Sequence, residues 1–280
     1  MGRAGSIGQY FTNPETRLME QVFILKVGGN IIDDEQQLAA FLQAFAEIPG
    51  KKILIHGGGK LATRMAAQLQ IPQQMVGGRR ITDAETLKTV TMVYAGYINK
   101  NIVAQLQSFQ CNAIGLTGAD GNLIQAHRRI HPTIDYGFVG DVDGINTALL
   151  QQLLNNNSSV VVAPITHNGN GHLLNTNADT IAQEIATALA PHYAVSLIYL
   201  FEKAGVLMDV NDDTSVVPLI TPQIYAQLKA QGTIADGMLP KLENAFTALQ
   251  KGVQRVIIGK ANVLSELLKG TSGTTLTSGT

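Results

Sequence analysis

Two short stretches combine lysine with glycine at the ends of apolar runs: Lys26-Val-Gly28-Gly29-Asn30 and His56-Gly57-Gly58-Gly59-Lys60. Glycine has no Cβ, so a ligand can touch the backbone N–H groups directly and the chain can take conformations closed to other residues. Where a helix follows such a loop, its free amides and the positive end of its dipole add to the attraction for an anion. One such loop is readily explained as a tight turn. Two in succession point to phosphate. Neither common phosphate fingerprint fits, because Leu61 follows Lys60 where a P-loop needs a hydroxyl, and neither loop has Gly-x-Gly-x-x-Gly spacing.

Further polar groups lie downstream. Arg80, in Gly78-Arg-Arg80-Ile-Thr82, offers a planar fork suited to a carboxylate, and the Asn175 amide in Asn175-Thr-Asn-Ala-Asp179 offers both a donor and an acceptor. Asp236-Gly-Met-Leu-Pro-Lys241 adds a second lysine. Each also has a bland reading: a solvated arginine, a helix cap, a helix lysine.

The elements that must position these groups alternate. Apolar runs at 22–27, 52–56, 112–116, 160–165, 195–201 and 255–258 read as strands. Helical patterns fall at 35–46, 60–69, 145–154, 178–189, 222–230, 237–251 and 263–268. A capping box at Thr82-Asp-Ala-Glu85 is expected to open a long helix reaching about Phe109, and 123–140 reads as hairpin-like. Near-continuous apolar strands between helices imply an α/β fold with a mainly parallel sheet covered on both faces.

The chain has 280 residues, 45% apolar and 15% charged, with net charge −1. No apolar run approaches the ~18 residues of a membrane span, and the basic residues form no stripe, so neither membrane nor nucleic acid is an expected partner. A lone Cys111 and an N-terminus without a signal-peptide layout suggest the cytosol. Met1-Gly2 with Ser6 and Asn157-Ser-Ser match acylation and glycosylation patterns that recur by chance. His127 and His131 have a metal-ligand spacing but no helix signal and a following Pro132, and the Asp120 and Asp141/Asp143 clusters read as turns.

Taken in order, Lys-x-Gly-Gly, His-Gly-Gly-Gly, Gly78-Arg-Arg80, Asn175 to Asp179 and Asp236 to Lys241 resemble the amino-acid kinase superfamily, and within it the N-acetylglutamate kinases, over about residues 22–276. The resemblance implies a three-layer α/β sandwich in two lobes: 22–190 for acyl-glutamate binding and phosphoryl transfer, 191–280 for ATP, with 1–21 an N-terminal arm or start-site extension. It implies ATP with magnesium held mainly by phosphate oxygens, and no metal held by the protein alone. Lys26 and Lys241 would stabilise the transferring phosphoryl group, with Asp179 organising both. Amides at Gly28, Gly29 and Gly57 would hold phosphate oxygens, while Gly58, Gly59, Arg80 and Asn175 would bind the acceptor. Similar proteins pair through the long helix, so a homodimer or larger homo-oligomer is expected.

Beside that resemblance four readings stay open: an N-acetylglutamate kinase, an N-succinylglutamate kinase, a sibling kinase acting on aspartate, glutamate, carbamate or uridylate, and a non-catalytic amino-acid or nucleotide sensor. The sequence departs from the family at Phe201-Glu202-Lys203, beside the expected nucleotide.

Overall fold

The computed structural model describes residues 19–76, 79–209, 211–231 and 238–279. Residues 1–18 of the arm expected over 1–21, Gly78 and the Asp236-Gly237 approach to Lys241 lie outside the described residues, and Gln21 already belongs to the first strand. In chain order the strands are β1 (Gln21–Val27), β2 (Lys51–His56), β3 (Gln74–Val76), β4 (Arg79–Ile81), β5 (Ala113–Leu116), β6 (Ile124–Arg128), β7 (Gly140–Ile145), β8 (Ser159–Val162), β9 (Ile165–His167), β10 (Leu173–Asn175), β11 (Ala194–Phe201), β12 (Leu219–Ile220), β13 (Arg255–Lys260) and β14 (Thr274–Leu276). The α-helices are α1 (Gly29–Ile32), α2 (Glu35–Glu47), α3 (Gly59–Gln68), α4 (Ala84–Thr91), α5 (Asn99–Ser108), α6 (Thr147–Asn155), α7 (Ala178–Leu189), α8 (Pro222–Ala230), α9 (Leu239–Gln250) and α10 (Leu264–Lys269). A wider π-helical segment, Met92–Ile98, joins α4 to α5, so one long helix runs where the sequence placed it.

Eight strands form the central sheet in the order β12-β14-β13-β11-β1-β2-β8-β5. All neighbours are parallel except β13 and β14. Alternation along the strands sends side chains to opposite faces. Ile24, Ile55, Val162, Leu197 and Ile258 join one buried cluster with α6, α7 and α9. Leu25, Leu54, Val161, Ile198 and Ile257 join a second with α2, α5 and α10. Both faces are covered, giving the three layers expected of a parallel sheet with apolar strands. A smaller sheet, β10-β9-β6-β7, and a β3-β4 ribbon stand beyond the carboxyl ends of β2 and β8.

Two expectations need correction. The apolar run 160–165 is split between β8 and β9 around Ala163-Pro164, since proline has no N–H for the ladder. The long helix is capped by Asp83, whose side chain accepts from Thr86 N at 2.7 Å, and not by Thr82. Thr82 turns the other way and its hydroxyl accepts from Asn175 Nδ2 at 3.0 Å.

Candidate active site

The parity of β1 decides where Lys26 points. It follows Val22 and Ile24 onto the α7/α9 face, at the carboxyl end of the strand, where α7 begins. The Asn177 side chain caps that helix, accepting from the amides of Asp179 at 2.8 Å and Thr180 at 3.1 Å. Asp179 in the first turn thereby comes to Lys26, with Nζ 2.8 Å from Oδ1. Lys241 arrives from the first turn of α9. Its Nζ lies 3.9 Å from the centre of the Phe201 ring, and Lys26 Nζ lies 5.6 Å from the same ring. Phe201 stacks on Tyr199, whose hydroxyl donates to the Asp179 carbonyl at 3.3 Å.

Burial pulls the Lys241 ammonium below the ordinary lysine range; the Asp179 carboxylate opposes this and the charge of Lys26 adds to it. Burial, with the charges of Asp179 and Glu184, pushes the Tyr199 phenol up and keeps it neutral. Phe201, which the sequence marked only as a departure, is thus the apolar floor under two ammonium groups.

The glycine loops lie side by side. Gly57 N–H donates to Val27 O at 3.0 Å, and a Cβ on Gly57 would stand 3.6 Å from Gly29 N. Gly58 precedes α3 with φ at +148°, and a Cβ there would collide with Ile98 Cδ1, so only glycine fits. His56 fixes this turn from behind. It is fully buried, its Nδ1 is 2.8 Å from Gly57 O, and Asn99 Nδ2 lies 3.3 Å from Nε2 while also reaching Val161 O. The carbonyl partner requires Nδ1–H, and burial lowers the imidazole to about 4 despite that bond.

Clefts open on either side of the loops. One, of about 210 Å³, is lined by Gly57, Gly58, Gly59, Arg80, Asn175 and Arg129 among others. Arg80 is buried against the glycines, its Nη2 donating to Gly59 O at 3.1 Å and Thr63 Oγ1 at 2.8 Å, and its Nη1 to Gln73. Arg129 was not singled out from the sequence. It enters the cleft from the end of the β6–β7 hairpin and is ion-paired with Asp141. The other cleft, about 370 Å³, has Gly28, Gly29, Phe201, Lys203, Gly205 and Lys241 in its lining. Lys203 there pairs with Asp213 at 3.0 Å. Among the described residues no group of three or more His, Cys, Asp or Glu side chains is arranged to hold a metal ion.

A mainly parallel sheet with paired glycine loops, two clefts and an ammonium–carboxylate cluster between them defines a two-cleft α/β protein. The chain belongs to the amino acid kinase family, whose model matches residues 21–260. It is 55% identical over 251 residues to the acetylglutamate kinase of Cytophaga hutchinsonii, covering 89% of this chain and 95% of that one. It is 36% identical over 247 residues to the acetylglutamate kinase of Methanopyrus kandleri, covering 87% and 96%. Solved structures share the fold: N-acetylglutamate synthase from Neisseria gonorrhoeae complexed with coenzyme A and N-acetyl-glutamate superposes with a TM-score of 0.76 at 21% identity, over 91% of this chain and 59% of that one. Carbamate kinase from Giardia lamblia bound to AMP-PNP gives 0.67 at 16% identity, over 92% and 98%.

Proposed function

We propose that this protein transfers the γ-phosphoryl group of ATP to the γ-carboxylate of N-acetylglutamate, giving the acyl phosphate and ADP at an early step of arginine biosynthesis. The reading draws on the acetylglutamate kinase relatives and on one observation above all: Lys26, Asp179 and Lys241 gather over Phe201, beside the glycine loops that part the two clefts.

A γ-carboxylate oxygen of the acceptor forms the new bond to phosphorus. The bond from phosphorus to the bridging oxygen breaks, and ADP keeps the electron pair. The attacking group is already ionised near neutral pH, so no general base is needed. What the protein must supply is alignment and positive charge at the equatorial oxygens. Lys26 and Lys241 supply the charge, and Asp179 holds them at a fixed separation. Amides of Gly28, Gly29 and Gly57 carry phosphate oxygens, and Gly58 and Gly59 the reacting end of the acceptor. Arg80 takes the α-carboxylate and Asn175 the acyl amide. The glycine-and-lysine lining of the larger cleft suits a triphosphate, and magnesium would neutralise its charge from the phosphate oxygens. On this reading 22–190 binds the acceptor and 191–280 the nucleotide.

No helix among the described residues is long and apolar enough to cross a membrane, and we place the enzyme in the cytoplasm. Met92 and Tyr97, 57% and 64% exposed on the long helix, supply the face through which it would pair with a second copy. Light scattering on the purified chain tests that pairing: a monomer mass removes it. For the reaction itself, ADP release is followed with glutamate and N-acetylglutamate side by side, and hydroxylamine traps the acyl phosphate. Turnover that depends on the acylated acceptor and yields the hydroxamate is expected; no turnover, or turnover with glutamate alone, overturns the assignment.

A further inference from the structure

A π-helical turn interrupts the long helix where it passes the acceptor cleft. Asn99 N–H donates to Tyr94 O, one residue further back than in an α-helix. At about 100° per residue an α-helix would set Asn99 roughly 140° around the axis from Tyr94; the wider turn brings both to the same side. Tyr94, Ile98 and Asn99 all reach the second glycine loop. A Cβ on Gly58 would stand 3.1 and 3.2 Å from Cδ1 and Cε1 of the Tyr94 ring and would collide with Ile98, and Asn99 Nδ2 lies 3.3 Å from His56 Nε2.

Ile98 and Asn99 stay behind the loop, whereas Tyr94, 6% exposed, belongs to the lining of the cleft together with Arg80. One edge of its ring runs along Gly58, and the Arg80 guanidinium is near enough for its charge to act on the phenol. Burial pushes the phenol up, Arg80 pulls the other way, and the hydroxyl keeps its proton at neutral pH. A guanidinium has no acceptor, so Arg80 leaves the phenolic hydrogen to the cleft.

Arg80 itself is largely committed. Nη1 donates to Gln73 and Nη2 to Gly59 O and Thr63 Oγ1, which leaves two of its five N–H groups for a ligand. A carboxylate accepts at about four sites, so one held by Arg80 and withdrawn from water calls for a further donor.

Resting on the kinase reading above, we infer that Tyr94 is a further acceptor-binding residue: its hydroxyl donates to the carboxylate that Arg80 grips, the α-carboxylate that takes no part in the transfer. The reacting γ-carboxylate stays with the glycine amides, so the hydroxyl acts on acceptor binding and leaves the chemical step alone.

Tyr94→Phe keeps the ring against Gly58 and removes only the hydroxyl. Steady-state kinetics compare wild type and variant with N-acetyl-L-glutamate and with 4-acetamidobutanoate, the same molecule without its α-carboxylate; where the latter turns over too slowly, its competitive Ki against N-acetyl-L-glutamate takes the place of kcat/KM. For N-acetyl-L-glutamate the variant is expected to lose roughly ten- to a hundredfold in kcat/KM, the range of a hydrogen bond to a charged group. That loss should fall on the acceptor KM, with kcat, the KM for ATP and the melting temperature nearly unchanged. For 4-acetamidobutanoate, which has nothing for the hydroxyl to bind, the two proteins should agree within about twofold. An unchanged KM for N-acetyl-L-glutamate overturns the inference. So does an equal loss on both acceptors, which would make Tyr94 a packing residue of the glycine loop, or a loss carried by kcat, which would place the hydroxyl at the reacting end. No turnover of N-acetyl-L-glutamate by wild type overturns the kinase reading itself.

Discussion

Lys241 is held by opposing forces. Partial burial over the Phe201 ring weakens its charged form, the Asp179 carboxylate strengthens it, and Lys26 beside it weakens it again. If this ammonium neutralises charge only in the transition state, Lys241→Ala should lower kcat by about a hundredfold or more, as loss of one oxyanion donor does, with the melting temperature nearly unchanged. Turnover within a few fold of wild type would take Lys241 out of the mechanism. The pH profile gives a finer test. A lysine with a lowered pKa loses its proton earlier on the alkaline side, so kcat should decline below the ordinary lysine range. Asp179→Asn removes the charge that raises Lys241, and the alkaline limb should move to still lower pH in whatever activity remains. A limb that stays in place would separate Asp179 from Lys241. At this scale the sequence was legible where chemistry is written in adjacent residues: the glycine loops, Lys26, Asp179 and Lys241 were all nominated from short motifs. Arg129 and Phe201 were not, because neither belongs to a motif with its partners. Arg129 gains its place only when a hairpin folds over the cleft, and Phe201 only when two lysines far apart in sequence converge on its ring.

Elements were legible to the extent that one periodicity ruled them. The fully buried strands β1, β2, β8 and β11 showed as apolar runs because both faces are covered, and the long helix showed by its apolar stripe. Short strands such as β3, β4, β9 and β10, each of three residues, are too brief to display alternation. The helix start was misplaced by one residue because Thr82 and Asp83 both have capping side chains and only tertiary contacts choose between them. This choice can be tested. Asp83→Ala should cost about 1 kcal/mol in urea unfolding by leaving helix amides uncapped, while Thr82→Val should leave the helix intact and act through Asn175 on the acceptor KM. Equal destabilisation by both variants would restore the capping box. His56 links β2 to the long helix through Asn99, and its burial has a pH signature. Its folded pKa, about 4, lies below the unfolded value of 6.5. The folded imidazole stays neutral while the unfolded one takes up a proton, so stability is lost as pH falls from 6.5 toward 4 and levels off below. One proton over that interval corresponds to roughly 3 kcal/mol. Carboxylates titrate in part of the same window, so the measurement is the difference in urea-unfolding free energy between wild type and His56→Asn at pH 7 and pH 4.5. A parallel pH dependence in both proteins would show that His56 is not the group responsible.

At the scale of the molecule, the two clefts follow from the order of the sheet. β1 sits between β2 and β11, so the strand that carries Lys26 is hydrogen-bonded on one edge to the first half of the chain and on the other to the second. Both buried clusters also draw from both halves: Ile24 and Ile55 pack with Leu197 and Ile258 on one face, and Leu25 and Leu54 with Ile198 and Ile257 on the other. A boundary near residue 190 would therefore divide neither the sheet nor the core. Unfolding one half alone would strip an entire edge of β1 and expose apolar area on both faces. At about 25 cal/mol per Å² of apolar surface, that cost would suppress partly folded states, and the chain should unfold in one cooperative step. The chain has no tryptophan, so single reporters can be introduced at buried aromatic positions, Phe41→Trp in the first half and Phe246→Trp in the second. Their fluorescence transitions in urea are expected to coincide with each other and with the loss of far-UV circular dichroism. Separate midpoints for the two reporters, with neither variant shifting the dichroism curve, would mean that the halves are held together less by the shared strand than by what binds between them.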